Sequence, residues 1–269
     1  MSARDEVPPT LPEPLPAEVF DSHCHLDILK TPVPEVVAAG RSVGIRRVVT
    51  VGYDLASSRW CAEAAAAHDD VYAAVAVHPN DAGDATDEVL GEIAELAALP
   101  HVRAVGETGL DYYRDWAGPD DQRRSFRAHI DIAKRTGKAL VIHDRDAHDD
   151  VLRILAEEGA PDQVVFHCFS GDAEMAKICA DNGYVMSFAG NVTFKNAGDL
   201  REAAKVAPAD LLLVETDAPY LTPVPHRGRP NAPYLVPLTV RAIAAAADIG
   251  EDDIAVAVTA TARRVFRWG

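Results

Sequence analysis

The sequence contains no long hydrophobic run. No stretch of about 18 or more residues is both apolar and uncharged, so no membrane-spanning helix is predicted. The first 18 residues, MSARDEVPPTLPEPLPAE, are rich in Pro and Glu and lack the basic start and apolar centre of a signal peptide. We therefore expect a cytoplasmic protein with no membrane partner.

Cysteine is scarce and shows no paired spacing. In a chain of this size, four scattered cysteines indicate reduced thiols rather than a disulfide framework. Cys24 and Cys168 each adjoin a histidine, but neighbouring side chains of a strand point to opposite faces. We therefore predict that both thiols pack as small apolar groups and do not bind a metal.

Positive charge is also limited. Lys and Arg number 26 against 42 Asp and Glu, which gives a net charge of −16 and a pI near 4.9. This balance argues against a broad, sequence-independent grip on polyanions through surface charge. It leaves room for a polyanionic substrate, because bound divalent cations can invert the local sign of a site on an acidic protein.

The chain has the length and composition of a globular protein with a sizeable core. Its 269 residues are 48% hydrophobic, and one barrel domain of alternating strands and helices needs about 250 residues. We predict a flexible, Pro-rich tail over residues 1–18 and a single domain over residues 19–269. A monomer without disulfides is expected.

Short apolar runs alternate with helix-periodic segments along the whole domain. The runs cover residues 19–24, 46–52, 71–79, 102–111, 139–144, 163–169, 184–190 and 211–219. Continuous apolar runs are typical of parallel strands buried on both faces, and eight of them predict a (β/α)8 TIM barrel. The chain from about Leu235 to Trp268 is predicted to form two closing helices. The alternative, a doubly wound open sheet, normally uses fewer strands, and no Gly-rich phosphate loop opens the first helix here.

The segment VFDSHCHLDIL places His23 and His25 one residue apart after an apolar pair. Side chains at i and i+2 of an extended chain point the same way, so the two imidazoles converge. Taken alone, the pair fits either a metal site or a hydrogen-bonded strand end.

Side chains that can bind a metal also end most of the remaining runs. They are His78 on the third run, Glu107 on the fourth, His143 on the fifth, His167 on the sixth and Asp217 on the eighth. Barrels place their active sites at the carboxyl ends of the strands, and closure brings the eighth strand beside the first. Without His78, six donors then face one cavity, and this mixed N/O set suits Zn²⁺, Mn²⁺ or a related divalent ion. Two ions bridged by Glu107 are the economical interpretation.

Six motifs occur in chain order between about Val19 and the C-terminus: DSHCHLD, VHPND, GETGLDYY, IHDRDA, HCFSG and ETDAPYLTP followed by RGRPNAP. With these motifs the sequence resembles the TatD family of metal-dependent hydrolases, within the amidohydrolase superfamily. The resemblance implies a TIM barrel, one or two divalent ions (Mg²⁺, Mn²⁺ or Zn²⁺) and a deoxyribonuclease that acts on single-stranded DNA or 3′ ends.

The resemblance also implies roles for individual residues. His23, His25 and Asp217 would hold the first ion, and His143 and His167 the second. Glu107 would bridge the two ions, and His78 would contact the substrate phosphate.

Chemistry adds further expectations. Asp217, as ligand and proton acceptor, would act as general base, so that Asp217 and Glu107 are the expected catalytic carboxylates. Arg145 and Arg227 are candidates to grip phosphate oxygens, although Arg145 could instead pair with Asp144 or Asp146, and Arg227 could simply order its loop. Acceptors that could orient the ligand histidines, or merely cap strand ends, are Asp21, Asp111 and Glu215.

Three functions compete on this basis. The first is a metal-dependent 3′–5′ exonuclease on DNA. The second is a small-molecule or aminoacyl-ester hydrolase acting on a lactone, an amide, a phosphotriester or D-aminoacyl-tRNA. Many such relatives bridge two metals with a carboxylated lysine, and here Glu107 occupies that strand end. The third is a binding module that keeps the metal site without turnover, which the intact ligand set disfavours.

Overall fold

The computed structural model describes residues 7–114 and 116–268. The described residues form eight strands and nine α-helices, in alternation along the chain. The strands are β1 (Val19–Cys24), β2 (Ile45–Val51), β3 (Val71–Val75), β4 (Val102–Asp111), β5 (Ala139–Arg145), β6 (Val164–Phe166), β7 (Val185–Phe188) and β8 (Leu212–Val214). The helices are α1 (Val33–Ser42), α2 (Leu55–Ala67), α3 (Asp87–Ala98), α4 (Pro119–Thr136), α5 (His148–Glu158), α6 (Ala173–Asp181), α7 (Gly198–Val206), α8 (Val236–Ala247) and α9 (Glu251–Phe266).

All eight strands belong to one sheet, and their hydrogen-bonded order follows the chain from β1 to β8. The pairs β3–β4, β4–β5, β5–β6 and β7–β8 are parallel, and a parallel bridge joins Cys24, at the end of β1, to Ala218, which follows β8. Parallel neighbours in chain order, each followed by a helix, define the (β/α)8 barrel fold that the sequence predicts. No helix within the described residues is long and apolar enough to cross a membrane.

The chain clusters into two compact units. Within the described residues, the first unit comprises residues 7–49, 171–264 and 268, and the second comprises residues 50–114, 116–170 and 265–267. The first unit has its own apolar core, which includes Val19, Met186, Phe188, Val240 and Ile243. The core of the second unit includes Phe126, Ile130, Leu140, Ile142, Ile154 and Phe166.

Helix starts are set by local chemistry. The Asp54 side chain accepts a hydrogen bond from the backbone N–H of Ser57 at the start of α2, and Asp172 accepts two such bonds at the start of α6. These side chains satisfy backbone donors that have no partner within the helix. The helix α4 ends at Gly137, whose φ of 64° is a conformation that glycine adopts without steric cost.

The described part of the predicted tail, residues 7–18, belongs to the first unit and has contacts within it. Leu15 is buried, and the Tyr234 hydroxyl donates a hydrogen bond of 2.9 Å to the carbonyl of Pro9. Backbone carbonyls that a Pro-rich segment cannot pair within itself are satisfied here by side chains of the barrel. Residues 1–6 lie outside the described residues.

Candidate metal centre

The first donor cluster consists of His23, His25 and Asp217 and lies within the first unit. The Oδ1 atom of Asp217 is 3.5 Å from Nε2 of His25 and 3.9 Å from Nε2 of His23. The two imidazole rings meet edge to face, with their centroids 5.1 Å apart. The predicted convergence of this histidine pair on Asp217 is therefore present in the structure.

Backbone pairing holds this cluster together. The N–H of Asp217 donates to the carbonyl of His23 over 2.9 Å, and the N–H of His25 donates to the carbonyl of Ala218 over 2.8 Å. Asp217 has a φ of 53°, a left-handed conformation that is uncommon outside glycine and better tolerated by Asp than by most residues. Such conformations concentrate at functional sites. Here the chain turns at Asp217, shortly after the end of β8 at Val214, and the turn places the carboxylate beside the two histidines.

Asp21 links the same strand ends through hydrogen bonds. Its Oδ1 atom accepts hydrogen bonds from the backbone N–H groups of Thr216, over 2.9 Å, and of His23, over 3.3 Å. Burial raises the pKa of the Asp21 carboxyl to about 8, against the lowering effect of the bonds from Thr216. Asp21 therefore holds the backbone between β1 and the end of β8, rather than an imidazole ring.

The second donor cluster consists of Glu107, His143 and His167 and lies within the second unit. The Oε2 atom of Glu107 is 2.8 Å from Nε2 of His167 and 3.4 Å from Nδ1 of His143. These two imidazole nitrogens are themselves 3.4 Å apart. The three donor atoms thus form a nearly regular triangle at the carboxyl ends of β4, β5 and β6.

Asp111 fixes the orientation of His143. Its Oδ2 atom lies 3.1 Å from Nε2 of His143, which therefore donates a hydrogen bond to the carboxylate, and Nδ1 of the same ring faces Glu107. Burial works against a charged Asp111, but the bonds from His143 and from the backbone of Arg114 together keep its pKa below the ordinary value. Burial likewise opposes a charged His143, and the bonds to Asp111 and Glu107 outweigh it and raise the pKa of His143.

His78 lies beside the second donor cluster, with its Nε2 atom beyond hydrogen-bond distance of Glu107. Its Nδ1 atom accepts the backbone N–H of Asn80 over 3.0 Å, which puts the ring proton on Nε2, 3.9 Å from Oε2 of Glu107. Burial lowers the pKa of His78 to about 3 despite the neighbouring Glu107 charge. A neutral imidazole with its N–H directed at the cluster suits an anion better than a metal, although His78 also lies close enough to Glu107 and His143 to count as a possible ligand.

The donor atoms of the second cluster fit a divalent cation. Donors about 2.1 Å from one ion lie about 3.0 Å apart at octahedral angles and about 3.4 Å apart at tetrahedral angles. The observed spacings of 2.8 to 3.4 Å span this range. The spacings in the first cluster, 3.5 and 3.9 Å, are a few tenths wider. Imidazoles combined with carboxylates are the donor set of Zn²⁺ and Mn²⁺ sites.

The two arginines predicted to grip phosphate each lie over an aromatic ring. The guanidinium of Arg145 is 3.9 Å from the centre of the Tyr113 ring in the second unit, and that of Arg227 is 3.9 Å from the Phe194 ring in the first. Neither arginine forms an ion pair with another described residue, so the alternative pairing of Arg145 with a neighbouring aspartate is not observed.

An eight-stranded parallel barrel whose strand ends carry imidazole and carboxylate donors defines a class of protein, the metal-dependent hydrolases. Comparison with known proteins identifies the family. The model of the TatD-related DNase family matches residues 20–267, and the chain belongs to that family.

Relatives and solved structures agree with this assignment. The chain is 48% identical to an uncharacterized metal-dependent hydrolase, TatD, of Mycobacterium tuberculosis, over 93% of this chain and 98% of the relative. It is 41% identical to a second such hydrolase, YabD, of Bacillus subtilis, over 93% of this chain and 99% of the relative. The crystal structure of YjjV, a TatD homologue of Escherichia coli, superposes with a TM-score of 0.85 at 25% identity, over 93% of this chain and 98% of that one. The predicted barrel, the metal dependence and the family are confirmed.

The sequence missed one group of residues. Tyr113 and Trp116 follow β4, and their rings are exposed beside Arg145 and Arg114. The signal was present in the printed sequence, because aromatic and basic residues directly follow a strand end that carries a ligand. The role of Glu107 as a bridge to the first ion stays a prediction.

Proposed function

We propose that this hydrolase is a deoxyribonuclease that cleaves phosphodiester bonds and releases nucleotides from the 3′ ends of DNA. The observation that carries the proposal is the neutral His78 beside the second donor cluster. A cation site with an N–H donor directed at it offers both contacts that a phosphate group needs. The description of the family, TatD-related DNase, supports DNA as the polymer.

Each residue has a defined task in this proposal. The first donor cluster would hold one divalent ion and the second donor cluster would hold another. A bound divalent ion lowers the pKa of a water molecule and polarises the phosphoryl group. Asp217 accepts the proton of the attacking water, and the Nε2–H of His78 donates to a phosphate oxygen.

Two arginines complete the substrate contacts. Arg145 and Arg227 bind phosphate oxygens with their planar guanidinium groups. Neither forms an ion pair with a described carboxylate, although Arg145 acts on the charge of Asp111 at longer range, so their N–H groups can bind an anionic ligand. The net charge of −16 repels a DNA strand, and in this proposal the two arginines and the metal ions supply the local positive charge that attracts its phosphates.

The test is nucleotide release from a single DNA strand labelled at its 5′ end, with Mg²⁺ or Mn²⁺. A ladder shortened from the 3′ end is expected for the wild type, and it should vanish with a chelator and in His143→Ala. His68→Ala, which removes an imidazole outside both clusters, is the matched control and should retain activity. If the wild type hydrolyses a lactone or an aminoacyl ester but releases no nucleotide, the deoxyribonuclease proposal is wrong.

The ligand assignment has its own test, which does not depend on the substrate. Mn²⁺ bound per chain is measured in the wild type, in His25→Ala and in His143→Ala. Each variant should lose one ion, whereas Glu107→Gln should lower the affinity for both if Glu107 bridges them. Loss of a single ion in Glu107→Gln would refute the bridge and leave the rest of the assignment intact.

The proposed cellular compartment is the cytoplasm. None of the four cysteines forms a disulfide in the described structure, which is typical of proteins from reducing compartments.

A further inference from the structure

The loop after β4 carries two exposed aromatic rings, each covered on one face by an arginine. The guanidinium of Arg145 lies 3.9 Å from the centre of the Tyr113 ring, and that of Arg114 lies 4.4 Å from the Trp116 ring. Tyr113 is 64% exposed and Trp116 is 66% exposed. Of the other aromatic side chains that the structure describes, Tyr220 alone is also exposed, so this loop departs from the usual burial of large rings.

The loop is tied directly to the second donor cluster. Oδ1 of Asp111 accepts the backbone N–H groups of Tyr113, over 3.0 Å, and of Arg114, over 2.9 Å. The other oxygen of the same carboxylate contacts His143. One side chain therefore positions both the ligand and the start of the aromatic loop.

Arg145 extends the same strand as His143. The two residues are i and i+2 on β5, so their side chains leave the strand on the same face, about 7 Å apart along it. The register pairs Arg145 with Asp111 on β4. The stack of Arg145 on Tyr113 thus lies immediately beyond the second donor cluster, in the direction of the strand ends.

The two arginines beside these rings have N–H groups that no described side chain binds, although the charge of Arg145 also acts on Asp111. Neither Arg145 nor Arg114 forms an ion pair or a side-chain hydrogen bond with another described residue. By contrast, Arg123 and Arg153 of the same unit both pair with Asp150. The attraction between a guanidinium and an aromatic face does not consume the N–H groups of the arginine, so these can still bind a phosphate oxygen.

We propose that Tyr113 and Trp116 form a base-stacking platform for single-stranded DNA, with Arg145 and Arg114 binding the phosphates between the stacked bases. The inference rests on the proposed deoxyribonuclease function and names the contacts that hold the strand. Bases of any kind present a flat face to an aromatic ring, so the platform accepts DNA without regard to sequence.

The test is equilibrium binding of a fluorescein-labelled oligothymidylate, measured by anisotropy in EDTA. A strand of the same length built from abasic sites serves as the comparison ligand, because it keeps the phosphates and lacks the bases. The wild type should bind the base-bearing strand more tightly, and Tyr113→Ala should lower that preference by about 10-fold. Tyr113→Phe keeps the ring and should restore the preference.

Tyr72→Ala provides a matched control. Tyr72 also lies under an arginine, Arg103, at 4.9 Å, but both residues are near the start of their strands in the same unit. This variant should bind like the wild type. Melting temperatures of all variants show that the differences do not come from unfolding.

The outcomes separate the two proposals. A wild type that binds both strands equally, or a Tyr113→Ala variant that loses the same factor on both, overturns the platform. Failure of Tyr113→Phe to restore the preference overturns it as well. Because binding is measured without metal, a wild type that prefers bases but releases no nucleotide with Mn²⁺ refutes the deoxyribonuclease alone.

Discussion

Replacing Asp111 by Asn tests whether one carboxylate sets the proton position on a metal ligand. In the wild type, Oδ2 of Asp111 accepts a hydrogen bond from Nε2–H of His143, and Oδ1 accepts hydrogen bonds from two backbone N–H groups of the following loop. An asparagine offers one oxygen and one NH₂ group in place of two acceptors. Its oxygen should face the two backbone donors, since an NH₂ group there would leave them unsatisfied at a cost of about 1–3 kcal/mol.

The expected consequence is a change of tautomer. With the amide NH₂ facing it, Nε2 of His143 must accept a hydrogen bond, and the ring proton moves to Nδ1. That atom lies 3.4 Å from Oε2 of Glu107, in the position of a metal-binding lone pair. Partners of this kind are each worth about 10- to 100-fold in metal affinity, so we expect Mn²⁺ binding at the second donor cluster to weaken by about 1.4–2.7 kcal/mol.

Two measurements follow the change. Isothermal titration with Mn²⁺ gives the affinity, and ¹⁵N spectra of the histidine rings give the tautomer of His143. Asp172→Asn is the matched control, because Asp172 also accepts the N–H groups of residues i+2 and i+3 but serves no ligand histidine. Unchanged Mn²⁺ affinity with the proton still on Nε2 would refute the reasoning, and so would an equal loss in Asp172→Asn.

Three further predictions concern stability. Mn²⁺ at 100 times the Kd of the second donor cluster should raise the free energy of unfolding of the wild type by about 2.7 kcal/mol through that site, and His143→Ala should lose this contribution while keeping that of the first donor cluster, as measured by urea titration. Burial lowers the pKa of His129 from 6.5 to about 4, so as the pH falls the imidazole is protonated in the unfolded chain before it is protonated in the folded protein. About 3 kcal/mol of stability should therefore be lost as the pH falls from 6.5 to 4. Urea titrations of His129→Gln should show a flatter pH dependence. Tyr234→Phe removes the hydrogen bond to Pro9 and should cost about 1 kcal/mol in the same titration.

Each of these predictions has an outcome that contradicts it. Equal stabilisation of wild type and His143→Ala by Mn²⁺ would show that the ion binds elsewhere. An identical pH dependence in His129→Gln would mean that other groups cause the acid sensitivity. A Tyr234→Phe variant as stable as the wild type would mean that the N-terminal segment does not depend on this bond.

Strand positions follow from the sequence because buried parallel strands are apolar on both faces. The predicted bounds of β1 and β4, 19–24 and 102–111, agree with the structure. The sixth and eighth runs are longer than β6 and β8, which end at Phe166 and Val214. The excess lies where Cys168 and Asp217 take positive φ values of 43° and 53°. Hydrophobicity reports burial and not backbone conformation, so it continues past the point where the chain turns to position a ligand.

The donors themselves could be predicted, whereas their orientation could not. Strand ends of a barrel share one face, and this rule alone brings His143 and His167 beside Glu107. The proton position on His143 depends on a contact with Asp111, and on the register that sets Gly109 opposite His143. A one-residue slip of that register would turn the side chains to the other face. No pattern in the sequence fixes such a register.

The contacts of the N-terminal segment could not be predicted from its sequence either. Its Pro-rich composition predicts an extended, flexible chain, and the extended conformation leaves its carbonyl groups without partners. The side chains that bind these carbonyls, Tyr234 and Arg241, lie more than 220 positions away in sequence. Composition describes the segment alone and cannot anticipate a partner surface that exists only once the chain has folded.

The acidity of the chain and its proposed polyanionic substrate are compatible because charge is distributed unevenly. On the helices of the second unit, Arg127 and Arg135 are each bound to carboxylates, so their charge is neutralised locally. Arg145, at the end of β5, lies over a ring and forms no ion pair with a described residue, and its charge acts on Asp111 only at longer range. A divalent ion at Glu107 would add further positive charge beside it. The net charge of −16 therefore limits non-specific binding over the whole surface without setting the potential at the strand ends, where a single strand of DNA would be held.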